Sequence, residues 1–375
     1  MSKKVIHTDR LMRPIAHFSH AVRVGNLIHV GATAGTDEAR RLAGDTAGLV
    51  DVAAQTRRMF DNVGVVLQLL GARLENTVRV KTYITDLRDE VRYREIYEQR
   101  LGAIRPNHVV VGSHGFPLPQ AAIELDLVAM VDTPIDRTPA GDVVACGRFH
   151  GCVTAPSSAD VAAASACALR ELRTRVEQSG FGVLEIAYVH VTLADVRDAE
   201  AFAAAFAQAF PREQPACAIV IAPLPGRDIG LQVEAIAVRG GGRRIACPLP
   251  SGAPSLGAAA VLAGDDLYIG GQFGEDEKGS LASGVEAQTR AAWTRIRALL
   301  DSAGFDDGAI LRTNNILTDW RDYGGFNAGY GANVVEPYPP RATVLGGLAR
   351  RDALVQIEAI AHRQGGSATI VQVPG

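Results

Sequence analysis

Three strands in this chain begin just after a proline, and each places a side chain with chemistry of its own at the strand's start. In Pro340-Arg341-Ala342-Thr343 an arginine opens an apolar strand. A planar guanidinium offers paired N–H groups that match both oxygens of a carboxylate. The plainer reading is a surface or interfacial ion-pair arginine. In Pro215-Ala216-Cys217-Ala218-Ile219 a cysteine sits in an apolar run. A thiol of lowered pKa is a nucleophile, whereas a cysteine in a buried strand is also a common small apolar filler. In Pro106-Asn107-His108-Val109 a histidine precedes Glu124 in the same segment of chain. A His/Glu pair suits acid–base work near pH 7, and the plainer reading is a half-buried strand histidine.

These residues belong to a repeated frame. The phrase Thr85-Asp86-Leu87-Arg88-Asp89 recurs as Ala194-Asp195-Val196-Arg197-Asp198 and Thr318-Asp319-Trp320-Arg321-Asp322, at offsets of 109 and 124 residues. Glycines that close helical stretches, Gly71, Gly180 and Gly304, keep the same offsets. An apolar segment near each unit's end, Glu124–Ala129, Gln232–Ala237 and Gln356–Ala361, keeps them to within one residue. Such periodicity predicts three units, 1–134, 135–242 and 243–375, each of ordinary domain size. Asp132-Thr133-Pro134 and Gly240–Arg244 read as joins, the second as a flexible one.

Within the first unit, 22–32 reads as a hairpin turning at Gly25-Asn26, 52–70 as a helix stopped by Gly71, and 78–84 as a β-branched strand. A second helix over 92–100 and strands over 108–112 and 121–131 complete it. The third unit repeats the plan with strands at 267–272, 310–317, 342–345 and 354–361, a helix over 285–303 and another near Phe326. The fold class predicted is α+β: three tandem domains, each a mixed β-sheet covered on one face by two helices. The other sheet faces then pack together about a pseudo-threefold axis.

Composition narrows the function. The chain has 375 residues, 47% hydrophobic and 21% charged, with a net charge of −3. A nucleic-acid or anionic-membrane binder relying on bulk positive charge is not expected. No run approaches ~18 apolar residues, and the charged N-terminus lacks the apolar core of a secretory signal. Five cysteines without a C-x-x-C pattern fit free thiols and a cytoplasmic location. His17 and His20 read as loop residues and not as zinc ligands. No phosphate-binding glycine motif is present. Phe202, Phe206 and Phe210 form a helical stripe read as core.

The segments 24–31, 340–344 and 356–361 resemble the RidA/YjgF family of imine and enamine deaminases, and the similarity extends over nearly the whole chain in three copies. The resemblance implies a family trimer fused into one polypeptide, related in fold also to the chorismatase-type enzymes. It implies a site at each interface. An arginine holds the substrate carboxylate, a backbone group two residues later assists, and a glutamate positions water. The neighbouring unit adds a small residue after the hairpin, an aromatic and an asparagine. Neither metal nor cofactor is implied.

Carried onto this chain, the third unit keeps Arg341, the Thr343 backbone, Asn327 and the hairpin glycines Gly270 and Gly271, but has Gln356 where the glutamate belongs. An amide is no base at neutral pH. The second unit has Cys217 in place of the arginine, Gln232 and Ala203. The first has His108, Glu124, the only retained glutamate, and Arg94, with Phe18 at the aromatic position and Gly31, Ala32 and Thr33 in the small-residue loop. Gly31/Thr33 and Thr154/Ala155 are the candidate walls facing Arg341. The function implied is a cofactor-free hydrolase acting on a small carboxylate-bearing imine, enamine or amide-like substrate. The alternatives are a divergent hydrolase or lyase using Cys217 or His108/Glu124, and a non-catalytic small-ligand binder. The expected partner is that small molecule, not nucleic acid or membrane, and the expected state is a monomer.

Overall fold

The structure is a computed structural model and describes residues 3–46, 49–252 and 256–373. The outermost residues of the expected units, 1–2 and 374–375, lie outside the described residues.

The first unit comprises β1 (Lys3–Thr8), β2 (Ala21–Val24), β3 (Leu27–Ala34), α1 (Val52–Leu69), β4 (Thr77–Ile84), α2 (Glu90–Tyr97), β5 (Asn107–Gly112) and β6 (Ile123–Met130). The second comprises β7 (Ile135–Arg137), β8 (Val143–Ala145), β9 (Arg148–Pro156), α3 (Val161–Gln178), β10 (Ile186–Leu193), α4 (Ala199–Ala209), β11 (Ala216–Ile221) and β12 (Ile229–Val238). The third comprises β13 (Gly242–Ile245), β14 (Ala260–Ala263), β15 (Asp266–Phe273), α5 (Val285–Ala303), β16 (Ile310–Leu317), α6 (Tyr323–Gly331), β17 (Arg341–Leu345), β18 (Gly347–Leu348), β19 (Val355–His362) and β20 (Ala368–Val373).

Local chemistry explains the repeats. The Asp of each repeated phrase accepts a hydrogen bond from the backbone N–H two residues on: Asp86 from Arg88 at 3.0 Å, Asp195 from Arg197 at 2.9 Å and Asp319 from Arg321 at 2.8 Å. Each cap starts a turn that feeds the unit's second helix. The long helices are amphipathic. In α1, capped by Asp51 on Ala54 N at 2.9 Å, Met59, Phe60, Val63, Val66 and Leu67 bury against the sheet at helical spacing. Gly304 ends α5 in the left-handed conformation.

The fold is the expected α+β triplicate. The sheets run β20-β1-β2-β3-β6-β4-β5, β18-β11-β10-β12-β9-β8-β7 and β13-β14-β15-β19-β16-β17. Several strands escaped the sequence reading. Gly240 and Gly241 form a tight turn (φ 89° and 70°) that leads straight into β13, so that join is not a flexible one. β18 of the third unit pairs with β11 of the second, and β20 lies parallel to β1, from Lys3↔Ala368 to Thr8↔Val373. The last strand of the chain therefore extends the first sheet.

One face of each sheet is covered by its two helices. The opposite faces meet one another, with Val109, Val111, Val220, Ala222, Ala342 and Val344 in a shared apolar cluster. Buried polar contacts run between units in cyclic order. Lys81 on β4 donates to Glu234 on β12 at 2.6 Å. Tyr188 and His190 on β10 meet Glu358 on β19 at 2.6 and 3.2 Å. Arg312 on β16 grips both oxygens of Asp126 on β6 at 2.8 and 2.6 Å. First touches second, second touches third, and third touches first.

Candidate active site

Ladder register identifies equivalent positions. His108 pairs with Val80, Cys217 with Val189 and Arg341 with Thr313. The partners stand at one place in β4, β10 and β16, so His108, Cys217 and Arg341 occupy one structural position in three units. Likewise Glu124 pairs with Tyr83, Gln232 with Thr192 and Gln356 with Ile316.

Arg341 is 4% exposed. Its Nη2 donates to Asn327 Oδ1 at 2.7 Å and lies 3.5 Å from the Tyr323 hydroxyl. Its guanidinium carbon lies 4.6 Å from the ring of Tyr330, 5.3 Å from Phe326 and 5.5 Å from Phe18. Those faces hold the cation through their quadrupoles. No carboxylate pairs with it among the described residues, and its Nη1 is buried without a hydrogen-bond partner. The buried arginines Arg79, Arg295 and Arg312 all have carboxylate partners. Arg341 is therefore not the ion-pair arginine of the plainer reading.

The wall facing it belongs to the first unit. A Cβ on Gly31 would stand 3.1 Å from both N and O of Arg341. Ser19 Oγ donates to Tyr338 O at 2.6 Å, and the His17 ring meets Tyr338 edge-on at 5.3 Å. So Phe18 and Gly31 come from across the interface, while Asn327 comes from Arg341's own unit. The expectation that the neighbour supplies the asparagine is corrected, because α6 packs directly over the start of β17. Thr33 Oγ1 donates to Gly31 O at 3.0 Å and shapes the loop, and Thr343 Oγ1 accepts from Asn315 at 3.3 Å. The alternative wall, Thr154/Ala155, lies on β9 opposite Gln232 and Leu231 in the second unit.

The second interface shows where the glutamate position lies. A Cβ on Gly270 would fall 2.5 Å from Cys217 O, and one on Gly271 would fall 2.6 Å from the Gln356 side chain. Cys217, Gly270, Gly271, Gln272 and Gln356 line one pocket of about 720 Å³. Gln356 thus faces the second unit's Cys217, not Arg341. The matching residue beside Gly31 is Glu124, which pairs with Ala34 at the end of β3. Both hairpin strands are bulged here, between Val30 and Thr33 and between Ile269 and Gln272. The second unit keeps a regular ladder at this place, Val153↔Val233 and Thr154↔Gln232. A bulge re-aims side chains, and such features gather next to active sites.

Glu124 is buried, and burial alone pushes its pKa up to about 8. Cys217 is buried too, and burial raises its thiol above the ordinary range, which makes it unreactive. His108 stacks on Tyr97 at 3.8 Å and shares a 2.8 Å hydrogen bond with the Tyr93 hydroxyl. Burial, with help from Arg94, lowers its pKa to about 3. It faces α2, as Arg341 at the same position faces α6, and the charge beside it is that of Arg94 and not of Glu124, so the structure does not bring the pair together. Sequence reasoning missed that Glu124, and not Gln356, belongs to the unit whose hairpin meets Arg341, and it missed Tyr323 and Tyr330 on α6. The periodicity of Tyr323, Phe326 and Tyr330 was the available signal.

The family profile described as Endoribonuclease L-PSP matches residues 8–131 and 254–363, most of the first and third units. A RutC family protein of Pyrococcus abyssi is 32% identical over 131 residues, covering 34% of this chain and 98% of that protein. One from Aquifex aeolicus is 30% identical over 128 residues, covering 33% and 97%. Each relative is thus one unit long. Among solved structures, a chorismatase aligns over 76% of this chain and 93% of its own with a TM-score of 0.59 at 16% identity, a likeness of fold. The chain belongs to the RidA/YjgF family, whose profile carries the Endoribonuclease L-PSP description, as a tandem triplicate.

Proposed function

We propose that the chain is a cofactor-free hydrolase that deaminates a small carboxylate-bearing imine or enamine at the interface of its third and first units. The observation that carries this reading is Arg341: a buried guanidinium, framed by three aromatic rings, with Nη1 unpartnered and no carboxylate partner among the described residues. A buried cation left so is costly, and a substrate carboxylate relieves the cost with charge-assisted hydrogen bonds.

Glu124 supplies the proton chemistry. With its pKa at about 8 it is mostly neutral at pH 7 in the empty site. An enamine needs a proton on its β-carbon to become an iminium. The Glu124 carboxyl gives that proton and becomes a carboxylate beside a cation. The carboxylate then takes a proton from the water that attacks the iminium carbon. The resulting carbinolamine collapses to a keto acid and ammonia. An imine takes the Glu124 proton on its nitrogen to give the same iminium and then follows the water step. Thr343 backbone and Asn327 assist in holding the substrate and Arg341.

The test is ammonia and keto-acid release from freshly generated 2-iminopropionate by wild type and Arg341→Ala. Loss of the rate in the variant supports the reading, and a wild-type rate equal to the spontaneous one removes it. The thiol-based alternative is disfavoured by the raised pKa of Cys217.

A further inference from the structure

An open hollow of about 650 Å³ lies between the first and third units. The first unit lines it with the segment that leads from Gly115 into β6, including Phe116, Leu118, Ala121 and Ala122, and the third unit with Trp320 and Tyr323. Both halves of the proposed chemistry border it. The Tyr323 hydroxyl stands 3.5 Å from Arg341 Nη2, and Ala122 comes two residues before Glu124. The walls are fixed. The buried Gln55 donates to Gln120 O at 3.1 Å and accepts from Ala122 N at 2.9 Å. A Cβ on Gly115 would stand 2.6 Å from Trp320 Nε1, so the first unit's segment lies hard against the third unit's indole.

Size and lining select what the hollow takes. Hollows of ~300–1,000 Å³ hold drug-sized ligands, and the methyl group of 2-iminopropionate would leave this one unfilled. Phe116, Trp320 and Tyr323 bring three aromatic rings to it, the last two edge-on at 5.3 Å. Such rings favour a further ring, offset or edge-to-face. Among the described residues that line it, the charged ones are Asp86 and Asp89, which repel a second carboxylate on the substrate. The hollow beside Phe18, by contrast, is lined by His7, Asp9, Arg13 and His20 and suits a polar group.

We propose that the hollow at Trp320 receives the side chain of the substrate and selects an aromatic one. The preferred substrate of the Arg341 site is then the imine or enamine of an arylalkyl 2-amino acid, with Trp320 and Phe116 as specificity-determining residues. This assignment rests on the deaminase reading of that site.

The experiment compares kcat/KM for 2-iminopropionate, 2-imino-4-methylpentanoate and 2-imino-3-phenylpropanoate, each generated in place and corrected for spontaneous hydrolysis. Wild type and Trp320→Ala are measured side by side. In wild type the benzyl substrate is expected to exceed the methyl one by roughly 100-fold, with the isobutyl one between them. In Trp320→Ala the benzyl-to-methyl ratio is expected to fall by roughly tenfold. The wild-type order is read without any substitution, so it stands even where the variant fails to fold. A methyl or isobutyl substrate turned over as fast as the benzyl one would overturn the assignment and leave the deaminase reading intact. An unchanged ratio in a folded Trp320→Ala would overturn it too. No rate above the spontaneous one on any of the three would remove the deaminase reading, and this assignment with it.

Discussion

Gly31 of the first unit lies against the backbone of Arg341 of the third so closely that a methyl on its Cα would stand 3.1 Å from both Arg341 N and O. That approach lets a strand start from one unit and a bulged hairpin from another share one wall. Gly31→Val is expected to push the units apart locally, lowering kcat/KM by roughly 100-fold and stability by ~1–3 kcal/mol. Gly64→Ala is the control. Its Cβ meets nothing within 4 Å on α1, and the substitution is expected to stabilise by ~0.5–1 kcal/mol without changing the rate.

Arg341 separates a binding role from a structural one. Arg341→Met removes a buried cation with no carboxylate partner among the described residues, so the melting temperature of the free protein is expected to hold or rise. The same change is expected to cut kcat/KM by roughly 100-fold, the ~3 kcal/mol of a charged hydrogen bond. Arg341→Lys should not restore it, because an ammonium lacks the planar fork. A large loss of stability in Arg341→Met would show the residue to be structural.

Glu124 makes a pH prediction whose sign follows from its raised pKa. The carboxyl titrates near 4.5 when unfolded and near 8 when folded. Between those values the native state holds the extra proton, so this group's contribution falls as pH rises from about 4.5 to 8. Glu124→Gln abolishes that dependence. The variant is expected to gain on wild type by ~1 kcal/mol per pH unit across that window, read from urea midpoints. Parallel curves for the two proteins would contradict the burial argument.

The cross-unit pairs should hold the assembly. Asp126 is fully buried and receives Arg312 from the third unit and Arg79 from its own, the latter at 2.9 Å. Asp126→Ala leaves the buried Arg312 without a carboxylate, while Arg79 keeps Glu234, and is expected to cost ~3–5 kcal/mol in urea unfolding. Replacing the exposed Asp9, paired with Arg13 at 3.4 Å, should cost well under ~1 kcal/mol.

Cys217→Ser is expected to leave the deaminase rate unchanged, since the thiol lies at the second interface and burial keeps it protonated. Loss of activity with the fold intact would restore the thiol-assisted reading.

The architecture was legible because it is local. Asp-capped turns, Gly-stopped helices and period-2 strands recur at fixed offsets, and each needs only a few neighbouring residues. The strands missed are those whose partners lie far away in sequence. β20 is recognisable only beside β1, and β18 only beside β11. The site was half legible for the same reason. Arg341 and Asn327 belong to one unit, where the resemblance had the asparagine come from the neighbour. Gln356 follows Arg341 along the chain but turns to Cys217, while Glu124, more than two hundred residues earlier, stands by the wall that Arg341 meets. Which interface a strand serves depends on the cyclic order of the units, and no spacing within one unit encodes that order. One signal was overlooked. Polar residues alternate through otherwise apolar strands, as in Arg79-Val80-Lys81 and Gln232-Val233-Glu234, and Arg79, Lys81 and Glu234 line the space between the units.

The central claim is that the surviving site joins Arg341 to Glu124 across the third and first units. The direct measurement is the kcat/KM for freshly generated 2-iminopropionate of wild type, Glu124→Gln and Gln356→Leu, each corrected for the spontaneous rate. The account predicts a wild-type rate well above background, its near-complete loss in Glu124→Gln and its retention in Gln356→Leu. Full activity in Glu124→Gln together with loss in Gln356→Leu would contradict it.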